Sequence, residues 1–446
     1  MALTINQEPT SPNMANADLL FVVESPTTSS FPQYQFVADI YEGGNKIQRI
    51  KQQPNPSGYG VFNVGQIVSQ FEDSDNIWKI TTFTTSSECN KSFGVKFGEE
   101  YASSISGSII LYDGLGSMGN PALTSSAEYN ITNGLVDFPS GHNFASQSYY
   151  SEQDALDDVI FTSSSALTNA PRNKGIQAGE YETISIYNAN ANTIENPTFA
   201  QDVFSAIYKQ YDSAGTLLQT DTLVNTFVGL RTTPTEDWAS VANLQNASNR
   251  LIHVPSGYQN IIDAGVSIDA NASYYTITLH PQGTDRFTNE NAIWDSFTYT
   301  LENKECSYDG VRFAWKNEFG VWDYYTFTLQ SSANSTIVRD SYKQTLVDFS
   351  TETSTTSLQG TRRGETQFYN EISREKTANS NWLTQAEADW LRELFYSTDV
   401  FIQNGSDFYP AVITSANFVE KTNPRTQKQF QYQLSFKDAN QLRARI

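Results

Sequence analysis

Between Leu19 and Tyr112 the sequence breaks into short runs rich in β-branched and aromatic residues, closed by Gly, Asn or Pro roughly every ten residues. That spacing is too short for helices and suits strands joined by tight turns. Leu19–Ser25 reads as one strand. Phe36, Ala38 and Ile40 alternate with Val37 and Asp39, and Ile47–Ile50 returns after Glu42-Gly43-Gly44-Asn45, where glycine tolerates the positive φ of a hairpin turn. The prolines at 54 and 56 keep helix out of the next loop. Order resumes over Val61–Phe71, and Ile77–Thr85 and Gly107–Gly114 read as further strands. Residues 18–115 are therefore expected to form an antiparallel β domain, preceded by a polar N-terminal arm over 1–17.

The region 116–305 reads as β-rich, as one or two domains. Leu115–Ser126 is loop-like, and Ser151–Ser164 suggests a turn of helix before a strand. Tyr181–Asn190 and Ala200–Leu223 read as strands, the latter a pair folded at Asp212-Ser213-Ala214-Gly215. That pair echoes the Phe36–Ile50 hairpin: an aromatic-rich strand, a glycine turn, then an apolar return. Thr233–Asn246 reads as a short helix with Pro234 at its start, and Ser273–Gly283 as a strand.

The C-terminal region, 306–446, carries the clearest helix, near 385–396. Thr384 with Glu387 three residues on forms a capping box. Ala386, Trp390 and Leu394 stack on one face with Leu391 and Phe395 beside them. Strands are expected at Val400–Gln403, Tyr409–Lys421 and Gln429–Asn440, with turns at Asn404-Gly405 and Asn423-Pro424. In the last strand Phe430, Tyr432, Leu434 and Phe436 share a face. Residues 441–446, with Arg443 and Arg445, read as a tail. The whole is a mainly β chain of antiparallel, β-sandwich-like domains with one C-terminal amphipathic helix.

Seven of the seventeen residues in Phe313–Leu329 are aromatic. Phe313 and Trp315 share one strand face, Asn317-Glu318-Phe319-Gly320 makes a turn, and Trp322 and Tyr324 return on one face with Tyr325 and Phe327 on the other. A hairpin apolar on both sides packs one side on its own domain and the other on a second domain or a neighbouring subunit. Phe313, Trp315, Phe319, Trp322 and Tyr324 are thus the candidate interface residues. A sugar platform also uses aromatics, but such strands are ordinary in β cores.

No motif announces chemistry. At 446 residues the chain has room for several domains without disulfide staples. Its net charge of −21 argues against wrapping nucleic acid. Cys89 and Cys306 read as two free thiols. No apolar run spans a membrane, and Met1–Leu20 lacks the pattern of a signal peptide, so the chain is expected to be made in a cytoplasm. His142, His253 and His280 fall in no metal-binding spacing, and no P-loop, GxGxxG or GxSxG is present. Asp154, Asp157 and Asp158 lack the alternation that wraps Ca²⁺. No catalytic residue, metal or cofactor is expected, although a glycosidase's carboxylate pair has no sequence signature to test.

Four stretches carry a resemblance: Tyr34–Val68; Phe97-Gly98-Glu99-Glu100-Tyr101 within Phe93–Tyr101; Arg312–Leu329; and Trp382–Ile413. Together they resemble a recurrent type of virion structural protein of tailed bacteriophages, in which a β domain ends near a GEEY-like motif and an aromatic hairpin precedes the C-terminal domain. Trp315, Asn317, Gly320, Asp323, Tyr324 and Phe327 match the hairpin pattern. The similarity covers both ends of the chain and skips most of its middle. It implies a non-enzymatic component of the virion, in the tail, neck or baseplate: an adaptor that forms a ring with copies of itself and binds other virion proteins. A receptor- or glycan-binding tail protein, meeting host surface glycan, is the alternative, and a depolymerase a third reading.

Overall fold

The computed structural model describes residues 3–9, 13–15, 18–26, 31–42, 44–71, 77–85, 90–102, 109–112, 123–124, 129–132, 166–187, 203–225, 251–281, 293–302, 310–358, 360–361, 364–415 and 431–439. The protein is mainly β, with antiparallel, sandwich-like sheets. It divides into two compact units: Met1–Lys304 with Trp315–Asp323, and Glu305–Ala314 with Tyr324–Ile446.

The first unit holds two apolar cores. In one, a three-stranded sheet of Thr4–Gln7, Leu20–Glu24 and Tyr59–Asn63 faces a larger sheet built on Gln35–Glu42, Asn45–Gln52 and Asn90–Ala102. Phe21 and Phe62 of the small sheet meet Phe97 of the large one at 5.4 and 5.6 Å between ring centres, which is the interior of a sandwich. Gly60 is required there, because a Cβ would lie 2.7 Å from the Phe36 ring. The expected hairpin forms as read, with Gly44 at φ +84°. On the other side of strand Gln35–Glu42, fully buried Asp39 is held by Arg49 through two hydrogen bonds of 2.6 and 2.7 Å. The N-terminal arm expected over 1–17 is not an arm. Thr4–Gln7 pairs with Leu20–Glu24, and Leu3 and Ala15 are buried in the core. Leu3 and Ile5 supply the apolar surface that the polar composition of the segment hides.

The second core lies between the sheet Asn173–Ile176, Asp295–Leu301, Tyr274–Pro281, Val203–Tyr211, Leu217–Val224 and a small sheet of Thr183–Tyr187, Leu251–Pro255 and Thr84–Thr85. One apolar cluster, including Ile184, Ile252, Val254, Ile277 and Phe297, spans both. Ile77–Thr85, read as a strand of the N-terminal domain, is mostly turn and serves this second core. Only Thr84–Thr85 pairs, with Leu251–Pro255, while buried Asn260 donates to the Trp78 and Ile80 carbonyls at 2.7 and 2.9 Å. The Val203–Tyr211 and Leu217–Val224 strands pair around the Asp212 turn as expected. The helix read at Thr233–Asn246, the Ser151–Ser164 segment, both cysteines, His142, Phe430 and the Asn423-Pro424 turn lie outside the described residues.

The second unit is organised by a seven-stranded sheet in the order Trp322–Phe327, Val311–Lys316, Val400–Asn404, Asp407–Ile413, Gln433–Asp438, Glu365–Asn379, Ser332–Lys343. Helix Gln385–Tyr396 begins with the expected capping box, Thr384 accepting from the Glu387 amide and Glu387 from the Thr384 amide. It buries Ala388, Trp390, Leu391 and Leu394; Ala386, read as part of that face, is exposed in the first turn. Trp390 meets Tyr325 and Phe395 meets Tyr432, edge to face, which seats the helix on the sheet. Among the described residues two further short helices, Gly65–Val68 and Tyr258–Asp263, add to the one expected.

Candidate functional site

The aromatic hairpin, read from sequence as core or interface, is buried in the structure. Phe313, Trp315, Trp322 and Tyr324 are buried and Phe319 is all but buried. The division between the units runs through the hairpin, Trp315–Asp323 counting with the first unit and its two strand bases with the second. Within the first unit, Trp322 packs edge-on against Trp78 at 5.3 Å. There the buried Asn317 amide donates to the Leu167 carbonyl at 2.9 Å, and its Oδ1 accepts from the Phe319 and Val321 amides. Within the second, Phe313 packs on Phe327 and Phe436. The five residues are therefore a fold determinant of this chain. Their aromatic area is buried within the chain.

The buried polar groups are also structural in their placement. Glu99 and Glu100 of the GEEY-like motif point to opposite sides of their strand. Glu99 accepts from Ser25 and Tyr34, both at 2.7 Å, and Glu100 pairs with Lys51 at 2.6 Å. Glu182 is held by Lys174 and by the Tyr299 hydroxyl at 2.8 Å, and burial, reinforced by the Glu182 charge, pushes the Tyr299 phenol well above its ordinary range. Ser185 and His253 face each other across neighbouring strands, Oγ to Nδ1 at 2.8 Å, but both are sealed from solvent. Among the described residues no group of three or more His, Cys, Asp or Glu could hold a metal.

One open cavity, of about 420 Å³, lies in the second unit. Gln403, Asn404, Tyr409, Lys376 and Asp438 contribute to its wall. Lys376 is held against Asp438 at 2.7 and 2.8 Å and over the Phe436 ring.

Among the described residues, an exposed ribbon stands apart that the sequence did not mark. Ser332–Lys343 pairs with Glu365–Asn379 over twelve residue pairs, roughly 40 Å of two-stranded ribbon. Only its base, Lys376–Asn379, joins the rest of the sheet through Gln433–Phe436. Beyond it Val347–Ser350 and Thr355–Leu358 form a second ladder. Every residue of Ser332–Lys343 is exposed. Leu358, Phe368 and Phe349 are 74, 63 and 61% exposed, and Ile337, Val338 and Ile372 are exposed too. Among its described residues this arm has no core of its own. An isolated two-stranded ribbon is marginally stable in water, and apolar side chains on both faces call for a partner surface. Sequence reasoning missed it because neither face is buried, so no apolar–polar alternation is written into the strands. The signal present was weaker: the β-branched Thr336-Ile337-Val338 and the aromatic Phe368-Tyr369, set in a polar segment without a helix pattern.

A scan against models of known protein families matches none, and no curated protein matches the chain.

Proposed function

We infer that this chain is a non-enzymatic structural protein of a tailed-bacteriophage virion, an oligomeric adaptor of the tail, neck or baseplate that binds copies of itself and other virion proteins. The observation that carries the reading is the arm: roughly 40 Å of exposed ribbon with apolar side chains on both faces is costly in an isolated chain and ordinary in an assembly. The GEEY-like motif and the aromatic hairpin, which carry the resemblance to such proteins, both serve as internal packing devices, as a shared scaffold requires. Mass spectrometry of purified particles, with antibody labelling in electron micrographs, tests it. The chain is expected at a fixed multiple copy number at one station along the tail; its absence from infectious particles rejects the reading.

The cavity favours a second reading, a glycan-binding tail protein. An exposed tyrosine, Tyr409, stands beside Gln403, Asn404, Lys376 and Asp438, the side-chain types that hold a sugar's face and hydroxyls. Titration with host surface polysaccharide decides it: binding that Tyr409→Ala abolishes supports this reading, and no binding removes it.

A further inference from the structure

The two faces of the arm carry opposite charge. In an antiparallel ribbon, residues directly opposite each other share a face, and successive residues alternate between faces. The register puts Ser335 with Arg374, Ile337 with Ile372 and Arg339 with Asn370 on one face. It puts Asn334 with Glu375, Thr336 with Ser373, Val338 with Glu371 and Asp340 with Tyr369 on the other. The first face is thus apolar and basic, the second apolar and acidic. Arg339, Asp340, Glu371 and Arg374 are all exposed. Glu375 accepts a hydrogen bond from Thr414 near the base of the arm.

The heights of these charges match. Arg339 and Asp340 are adjacent on one strand and point to opposite faces; Arg374 lies between Glu371 and Glu375 on the other strand. Translating a copy of the arm along the normal to its face, without rotation, therefore brings Arg339 of one copy over Asp340 of the next. The same translation brings Arg374 within a residue of Glu375 and Ile337 within a residue of Val338. Face-to-face packing of two ribbons at the usual sheet spacing of about 10 Å leaves room for these side chains. A rotation that matched each face with its own kind would instead oppose like charges.

We propose that the arm docks onto the arm of a second copy of this chain, basic face on acidic face, in a head-to-tail series. Such heterologous contacts repeat in one direction and close into a ring when the rotation per copy permits. The inference rests on the oligomeric reading above and names its contact surface.

Two charge reversals test it: Arg339→Glu with Arg374→Glu, and Asp340→Lys with Glu371→Lys. Both alter exposed positions, so the thermal transition of each variant is expected at the wild-type temperature. Sedimentation velocity over a concentration series at low ionic strength is the measurement. The wild type is expected to associate, and added salt to weaken the association. Each variant alone has two faces of like sign and is expected to associate at least about tenfold more weakly. Mixed in equal amounts, the two variants restore complementary faces and are expected to associate as the wild type does. Recovery on mixing supports the proposal. A wild type that stays monomeric at every concentration, variants that associate normally, or a mixture that does not recover overturns it. Normal association by the variants leaves the oligomeric reading intact with a different contact surface. The virion reading is decided separately by the content of the particles.

Discussion

The aromatic hairpin and the arm that follows it are neighbours in sequence with opposite fates. In the first, Trp315, Trp322 and Tyr324 are buried and Asn317 is fully hydrogen-bonded into the interior. In the second, strand Ser332–Lys343 is exposed along its whole length. Aromatic density marks what a chain buries within itself. A surface kept for another copy must also survive in water before assembly, so its apolar residues are diluted among Ser, Thr, Asn and charges. On an edge strand such as Ser332–Lys343, charges also discourage indiscriminate pairing. The stretch densest in aromatics is therefore interior, and the exposed arm carries no such density.

Substitutions break this contrast or sharpen it. Trp315→Ala is expected to cost about 3–5 kcal/mol in denaturant unfolding, since it empties a fully buried site. A loss below about 1 kcal/mol would mean that the hairpin is not part of the interior. Asn317→Ala strands the Leu167 carbonyl and the Phe319 and Val321 amides, and about 1–3 kcal/mol is expected from the same measurement. On the arm, Phe349→Ser and Leu358→Ser are expected to leave stability within about 0.5 kcal/mol of wild type, because both side chains already meet solvent. The smallest effect belongs to a surface charge outside both hairpins. Glu302 has its carboxyl raised above the ordinary range by burial and then by the Glu180 charge, so folding favours its protonated form. The group is neutral in both states below the unfolded value, and the folded state loses stability relative to a neutral side chain as pH rises through the raised value. Glu302→Gln should raise stability slightly at pH 7, by less than about 0.5 kcal/mol for so exposed a group, and leave it unchanged near pH 3, as read from thermal unfolding.

Much of the fold was legible wherever one face of an element is buried. Alternation in Gln35–Glu42, the glycine turn after it, the Asp212 turn and the Thr384 capping box all report local geometry that tertiary structure then uses. What was illegible depends on distant partners. Residues 3–7 look like an arm until the Leu20–Glu24 strand supplies the other half of their ladder. Ile77–Thr85 looks like a strand, but its backbone is claimed by Asn260 from far along the chain. The five aromatic candidates were read as a two-sided hairpin packed on a domain core and on a second domain or a neighbouring subunit, and the structure buries them within this chain. The arm was missed altogether, since its two faces differ in charge and not in hydrophobicity, and the register that separates them exists only in the folded ribbon.

Hydrogen exchange of the arm amides, in the dilute chain and in purified particles, tests the central claim most directly. The ribbon is marginally stable alone, so its cross-strand ladder amides are expected to exchange fast by local opening in the dilute chain and to become strongly protected when its faces are covered on assembly. Equal exchange in the two states would show that the arm is not where this protein meets its partners.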